Sequence, residues 1–242
     1  MAGHSKWKNI MHKKNKTDAQ RAKVFTKIGK EMAMAVRDGG PDPVSNTRLR
    51  DLIAKAKANN VPNDNIERAI KKAGAGDGVN YESITYEGYG PEGIAVIVEA
   101  ATDNRNRTGS DMKHYFDKYG GNLGQTGCVS YMFARSGVLI VEREGLDADK
   151  VMEDALDAGA SDIAEEGEVY EILTAPADLG AVREALAAKG YAFLSAQEEM
   201  LPSTYATIQS EENVAKMRKL LELLDEHDDV QDVWHNWENE TE

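Results

Sequence analysis

The chain has 242 residues, a formal net charge of −13 and a single cysteine, Cys128. One cysteine excludes an internal disulfide, and no apolar run approaches the roughly 18 residues a membrane span needs. The basic N-terminus lacks the apolar core of a secretory signal, so the expectation is a cytoplasmic protein with no membrane partner.

The charge is spread unevenly. Residues 1–78 hold 17 Lys/Arg against 8 Asp/Glu, whereas residues 135–200 hold 5 against 16. The first thirty residues alone carry nine cations and one acid, Asp18. A chain segregated in this way is built to present its basic end to something anionic.

Residues 1–16 show neither a helical nor a strand period and read as an arm. Trp7 sits there among Lys6, Lys8, Lys13, Lys14 and Lys16. Two readings stand for Trp7: an anchor, with Ile10, on the protein's own surface, or a ring that stacks on a base while lysines meet phosphates. A helix is expected from Thr17, where Thr17 and Gln20 form a capping box. Ala22, Phe25, Ile28, Met32 and Val36 make its apolar stripe, leaving Lys23, Lys27 and Lys30 to face solvent or a partner. Gly39-Gly40-Pro41 ends it. A second helix runs from about Ser45 to Asn59, and a third from Asn63 to Gly74. Together they predict a small three-helix bundle over residues 1–78.

The period then changes. Ile84–Glu87 and Ile94–Ala101 read as strands. The intervening Gly88-Tyr-Gly-Pro-Glu-Gly93 spells G-x-G-x-x-G but opens no helix, so it is a hairpin loop and not a dinucleotide site. Thr102–Thr108 leads into a helix bearing Met112, Tyr115, Phe116 and Tyr119. Arg105 and Arg107 at its start are either phosphate ligands or solvated cap residues. Gly120–Gly127 is either an anion nest or a simple turn, and Val129–Phe133 is a further strand.

Residues 135–200 read as β-α-β-β-α-β, a ferredoxin-like unit complete in itself. The flanking pieces, 79–134 and 201–242, then form one discontinuous α+β domain. Its second part comprises strand Tyr205–Ile208, helix Glu211–Glu226 and strand Val230–Trp234. The expected fold class is therefore α+β: a helical bundle and two ferredoxin-like domains, the third domain inserted into the second.

Catalytic and metal signatures are missing. The five histidines make no H-E-x-x-H, no Cys/His spacing suits zinc, and there is no Walker loop or G-x-S-x-G. Cys128 has no basic neighbour in sequence and reads as an inert thiol. The expectation is a non-enzyme with no cofactor, no metal and no obligate small-molecule ligand. A hydrolase in an interdomain cleft is the remote alternative.

Six blocks carry a resemblance to a known family: Ala2-Gly-His-Ser-Lys-Trp-Lys-Asn-Ile10, Arg21-Ala-Lys-Val-Phe-Thr-Lys27, Val61-Pro-Asn-Asp-Asn-Ile-Glu-Arg68, Tyr86–Gly93, Thr102–Thr108 and Gly120-Gly-Asn-Leu-Gly124. In this order they resemble the YebC/PmpR proteins along essentially the whole chain. One departure is Gly127-Cys128-Val129, where the family pattern has Gly-Ser-Val. The resemblance implies a probable transcriptional regulator that binds DNA. Other members resemble ribosome-associated factors that act on ribosomal RNA and help synthesis through proline-rich stretches. Both duties need nucleic acid. The residues expected to meet it are Lys6, Trp7, Lys8, Lys13, Lys14, Lys16, Arg21, Lys23, Lys27, Arg105 and Arg107.

Overall fold

The computed structural model describes residues 18–76 and 78–239. The Thr17 cap lies outside the described residues. Helix α1 spans Asp18–Gly39, α2 Thr47–Ala58 and α3 Asn63–Gly74. Their shared core is Ile28, Met32, Ala35 and Val36 against Leu49, Leu52, Ala56 and Ile66. Asn46 makes the α1–α2 corner. Its carboxamide oxygen accepts from the Leu49 N–H at 3.0 Å, capping α2, while its Nδ2 donates to the Ala35 and Gly40 carbonyls at 2.8 Å each. One buried side chain thus satisfies open backbone groups of both helices. Gly39 has no Cβ because one would lie 2.8 Å from Asn46 Nδ2.

A four-stranded sheet follows, built from β1 (Glu82–Tyr89), β2 (Ala95–Thr102), β3 (Asn122–Leu123) and β8 (Val230–His235). Its order is β3-β1-β2-β8, with every neighbouring pair antiparallel. Helices α4 (Arg105–Lys118) and α7 (Glu211–Glu226) cover one face. Met112, Phe116, Met217, Leu220 and Leu224 there meet Val96 and Val98. The bundle helix α1 packs on β2 and β8. With neighbours on both sides, β2 is buried at seven of its eight positions. That is why it reads as a continuous apolar run and not as an alternating one.

Two expected strands come out differently. Residues 124–130 form a turn and Ser130–Met132 a short 3-10 segment. The N–H groups of Gly127, Val129 and Ser130 donate to the Glu87 carboxylate, so they have none to spare for a sheet. Tyr205–Ile208 contributes only one bridge, Ala206 to Trp237, because the Asn239 side chain bonds both backbone groups of Ile208.

The described residues divide into two compact units, Ala134–Leu201 and the remainder. The first unit holds β4 (Phe133–Glu142), α5 (Ala148–Asp157), β5 (Asp162–Glu166), β6 (Val169–Thr174), α6 (Leu179–Ala188) and β7 (Phe193–Pro202). Its sheet order, β5-β6-β4-β7, is that of a ferredoxin-like split βαβ. Leu139, Val141 and Ile172 face Ala155 of α5 and Val182 and Leu186 of α6. Asp154 joins the layers, with Lys189 at 2.6 Å, the Tyr191 hydroxyl at 2.8 Å and Lys150 at 3.1 Å.

Candidate nucleic-acid interface

Three places in the sequence have the backbone chemistry of an anion site, and each already holds an anion of the chain itself. The Gly-rich turn at 124–130 closes on Glu87, whose oxygens lie 2.7–3.0 Å from three backbone nitrogens. Burial pushes the Glu87 carboxyl up, but those three N–H groups outweigh it and hold the pKa below the usual carboxylate value. The N-terminus of α7 is met by Glu92 from the β1–β2 loop. Glu92 accepts from Gln209 N at 2.9 Å, Ser210 N at 3.2 Å and Asn213 Nδ2 at 2.8 Å. The G-x-G-x-x-G stretch is thus a hairpin loop that delivers a helix-capping carboxylate.

The third place is the start of α4, where Asp229 is the occupant. It is 4% exposed. Its oxygens lie 2.6 Å from Lys30 Nζ, 2.8 Å from Arg107 Nη2, 2.8 Å from the Thr108 hydroxyl and 3.2 Å from that of Thr102. Burial alone would raise its pKa. Lys30, Arg107 and Thr108 reverse that and hold it well below the carboxylate range. Arg107 also meets Asp103 at 2.8 Å, and the two acids push its guanidinium pKa up.

The expected site residues therefore separate. Lys6, Trp7, Lys8, Lys13, Lys14 and Lys16, and the side chain of Arg21, lie outside the described residues. Lys23 donates to the Glu226 carbonyl at 3.1 Å and Lys27 to the Asp225 carbonyl at 2.7 Å. Helix α7 has no basic residue in its own last turn, and these α1 lysines supply the positive charge its C-terminus favours. Arg107 belongs to the Asp229 cluster. Arg105 stays exposed, with Glu82 at 3.8 Å. Around Lys23, Lys30 and Arg107 there is a cleft of about 630 Å³, but Asp103, Glu226, Asp228 and Asp229 also line it. With four carboxylates to three cations, it is a poor place for phosphate.

Other cations remain available. Arg50 and Lys57 on α2, and Arg68, Lys71 and Lys72 on α3, are exposed and have no ion-pair partner among the described residues. Arg50 and Lys57 are seven residues apart, two turns along one face, and Arg68, Lys71 and Lys72 fall at i, i+3 and i+4. Sequence reading passed over them because it weighted the densest run of lysines. Part of the signal was present: Lys57 in the last turn of α2 and Lys71 and Lys72 in that of α3 lie off the apolar stripe, whereas the other last-turn cation of α2, Lys55, is paired with Glu31 at 3.1 Å.

The molecule matches known proteins along nearly its whole length. Residues 5–76 match the TACO1/YebC protein N-terminal domain, and residues 81–237 the TACO1/YebC second and third domain. A probable transcriptional regulatory protein of Ruminiclostridium cellulolyticum is 56% identical over 223 residues, covering 91% of this chain and 90% of that protein. One of Caldicellulosiruptor bescii is 57% identical, covering 91% of each. A crystal structure of a conserved hypothetical protein from Aquifex aeolicus superposes with a TM-score of 0.84 at 46% identity, covering 92% of each chain.

Proposed function

The chain belongs to the TACO1/YebC family, and we propose that it is a non-catalytic, cytoplasmic regulator of gene expression that binds DNA through its basic bundle and N-terminal lysines. The observation that carries this reading is the group of exposed cations on α2 and α3 that have no ion-pair partner among the described residues. They share the N-terminal third of the chain with the five lysines of residues 1–16. The transcriptional-regulator names of its relatives agree with it. Phosphate contacts made by exposed lysine and arginine are independent of base sequence, so they position the protein before any reading of bases.

Titration of a duplex across a range of salt concentrations tests the reading. Five phosphate contacts give a slope of log affinity against log salt of about −4.5. Replacing Arg68, Lys71 and Lys72 together with alanine should flatten that slope by about 2–3 units. An unchanged slope would remove α3 from the interface. Crosslinking in cells identifies the target: enrichment at a few promoters supports DNA regulation, and dominance of ribosomal RNA would replace it with a role on the ribosome.

A further inference from the structure

The sheet of the Ala134–Leu201 unit ends on one side in β5. In the order β5-β6-β4-β7 its neighbour among the described residues is β6 alone, in unbroken antiparallel register from Asp162↔Leu173 to Glu166↔Val169. Every second residue of such an edge strand turns its N–H and C=O away from the sheet. The Ile163 N–H has a local acceptor in the Asp162 carboxylate at 2.9 Å. An edge accepts a further strand unless proline, lysine or a bulge blunts it, and β5, Asp-Ile-Ala-Glu-Glu, has none of the three.

An apolar flank runs above this edge. Helix α5 packs on β5 and on α6. Asp154 marks the α6 side, because Lys189 and Tyr191, just past α6, hold it. Met152 and Leu156 each lie about 200° around the helix from Asp154, on the opposite flank, along β5. They are 49% and 54% exposed, and Leu146, in the turn before the helix, is 37% exposed. Ten helical residues span about 15 Å and five strand residues about 17 Å, so the flank follows the whole of β5. Its surroundings are acidic. Asp149 and Glu153 on α5 and Asp162 on β5 are exposed. Lys150, the basic residue of α5, is held by Asp154 at 3.1 Å.

We propose that β5 and this flank of α5 receive an extended basic segment of another protein, which extends the four-stranded sheet by one strand. The backbone of the segment bonds to β5. Its alternate side chains are apolar and cover Met152 and Leu156, and the lysines or arginines between and beside them meet Asp149, Glu153 and Asp162. Charge selects this occupant. A second copy of β5 would set Asp162, Glu165 and Glu166 against acids of the same kind, and like charges facing one another across strands repel. Nucleic acid meets the same repulsion, since residues 135–200 hold 16 acids against 5 Lys/Arg. A basic segment is attracted instead. This docking does not depend on what the bundle binds.

Titration of the full-length ¹⁵N-labelled chain with the end-capped peptide Lys-Val-Lys-Val-Lys-Val-Lys tests the proposal. Two control peptides accompany it. One has glutamate in place of every lysine, and the other is fully N-methylated, which keeps charge and apolar content but removes strand pairing. The expected result is a set of amide shifts along β5 and methyl shifts at Met152 and Leu156, with slower hydrogen exchange in β5, for the first peptide alone. The Met152→Lys, Leu156→Lys double variant should weaken binding by about tenfold or more. Both side chains are exposed, so its Tm should match the wild type. Equal binding of either control peptide overturns the proposal, as does unchanged affinity in the double variant. So does the lack of any shift at β5 with peptide up to about 1 mM. Sedimentation of the chain alone closes the remaining route: self-association abolished by the double variant would assign the edge to a second copy and overturn it equally.

Discussion

Asp229 is the residue on which the junction between α1 and the first sheet most depends. Changing it to asparagine keeps the volume and removes the charge. Lys30 is then left 9% exposed and without a counter-charge at 229, with neutral acceptors alone there: the Asp228 carbonyl at 3.0 Å, the Ala101 carbonyl at 3.5 Å and the new carboxamide oxygen. Breaking a buried pair by removing one partner costs about 3–5 kcal/mol, and the remaining carbonyls put Asp229→Asn at the lower end, about 3 kcal/mol. For a chain of this size that lowers Tm by roughly 6–12 °C. Lys30→Met should cost less, about 1–2 kcal/mol, because the carboxylate retains Arg107 and two hydroxyls. The double variant should lose less than the sum by about 1 kcal/mol or more, as expected of groups in direct contact. Urea unfolding followed through Trp234 and Trp237, which sit on or beside β8, measures all three. The pH dependence adds a check. The Asp229 carboxyl has a depressed pKa, so its stabilisation is complete above the unfolded value of about 3.9 and is lost as pH falls below that. The gap between wild type and Asp229→Asn should be constant from neutral pH down to about 5 and close only in stronger acid. Strict additivity, or a loss under about 1 kcal/mol for Asp229→Asn, would refute the clamp.

Burial pushes the His235 pKa down to about 4. The imidazole is neutral in the folded state while the unfolded chain titrates near 6.5, so stability falls as pH drops from about 6.5 to 4, by about 3 kcal/mol in all. Urea midpoints across that range should show the decline in the wild type, and His235→Gln should flatten it. Glu87→Gln removes the charge that three N–H groups converge on and turns an NH₂ toward them. It should cost about 2–3 kcal/mol and speed hydrogen exchange at Gly127, Val129 and Ser130 more than elsewhere in the first sheet domain.

Much of this architecture is legible in the sequence, because helices and hairpins are local. The α1, α2 and α7 stripes, the β1–β2 hairpin and the β-α-β-β-α-β order of residues 135–200 all follow from periodicity and turn residues. The reading fails where distant residues decide. Val129–Phe133 looks like a strand by composition, yet Glu87, some forty residues earlier, takes its N–H groups. Tyr205–Ile208 loses its ladder to Asn239, 31 residues later. Lys23 and Lys27 look free because their partners, Glu226 and Asp225, lie about 200 residues away. Each miss is a side chain meeting backbone at long range, which periodicity does not register.

The same fact changes what a segment's charge means. A count over residues 18–39 treats Lys23, Lys27 and Lys30 as available to a ligand. All three are instead spent on the 225–229 segment, which has the opposite sign. Pairing inside a segment leaves its net charge a fair guide to its field, whereas pairing between segments of opposite sign weakens both. The basic character of the N-terminal end therefore rests on other carriers: the exposed cations of α2 and α3, and in sequence the five lysines of residues 1–16. Replacing Lys23 and Lys27 should consequently lower stability by loosening the end of α7 and leave the salt slope of DNA binding unchanged, whereas replacing Arg68, Lys71 and Lys72 should do the reverse. Measuring both quantities on both variants decides between structural and ligand-facing cations, and a salt slope that flattened with Lys23 and Lys27 would return α1 to the interface.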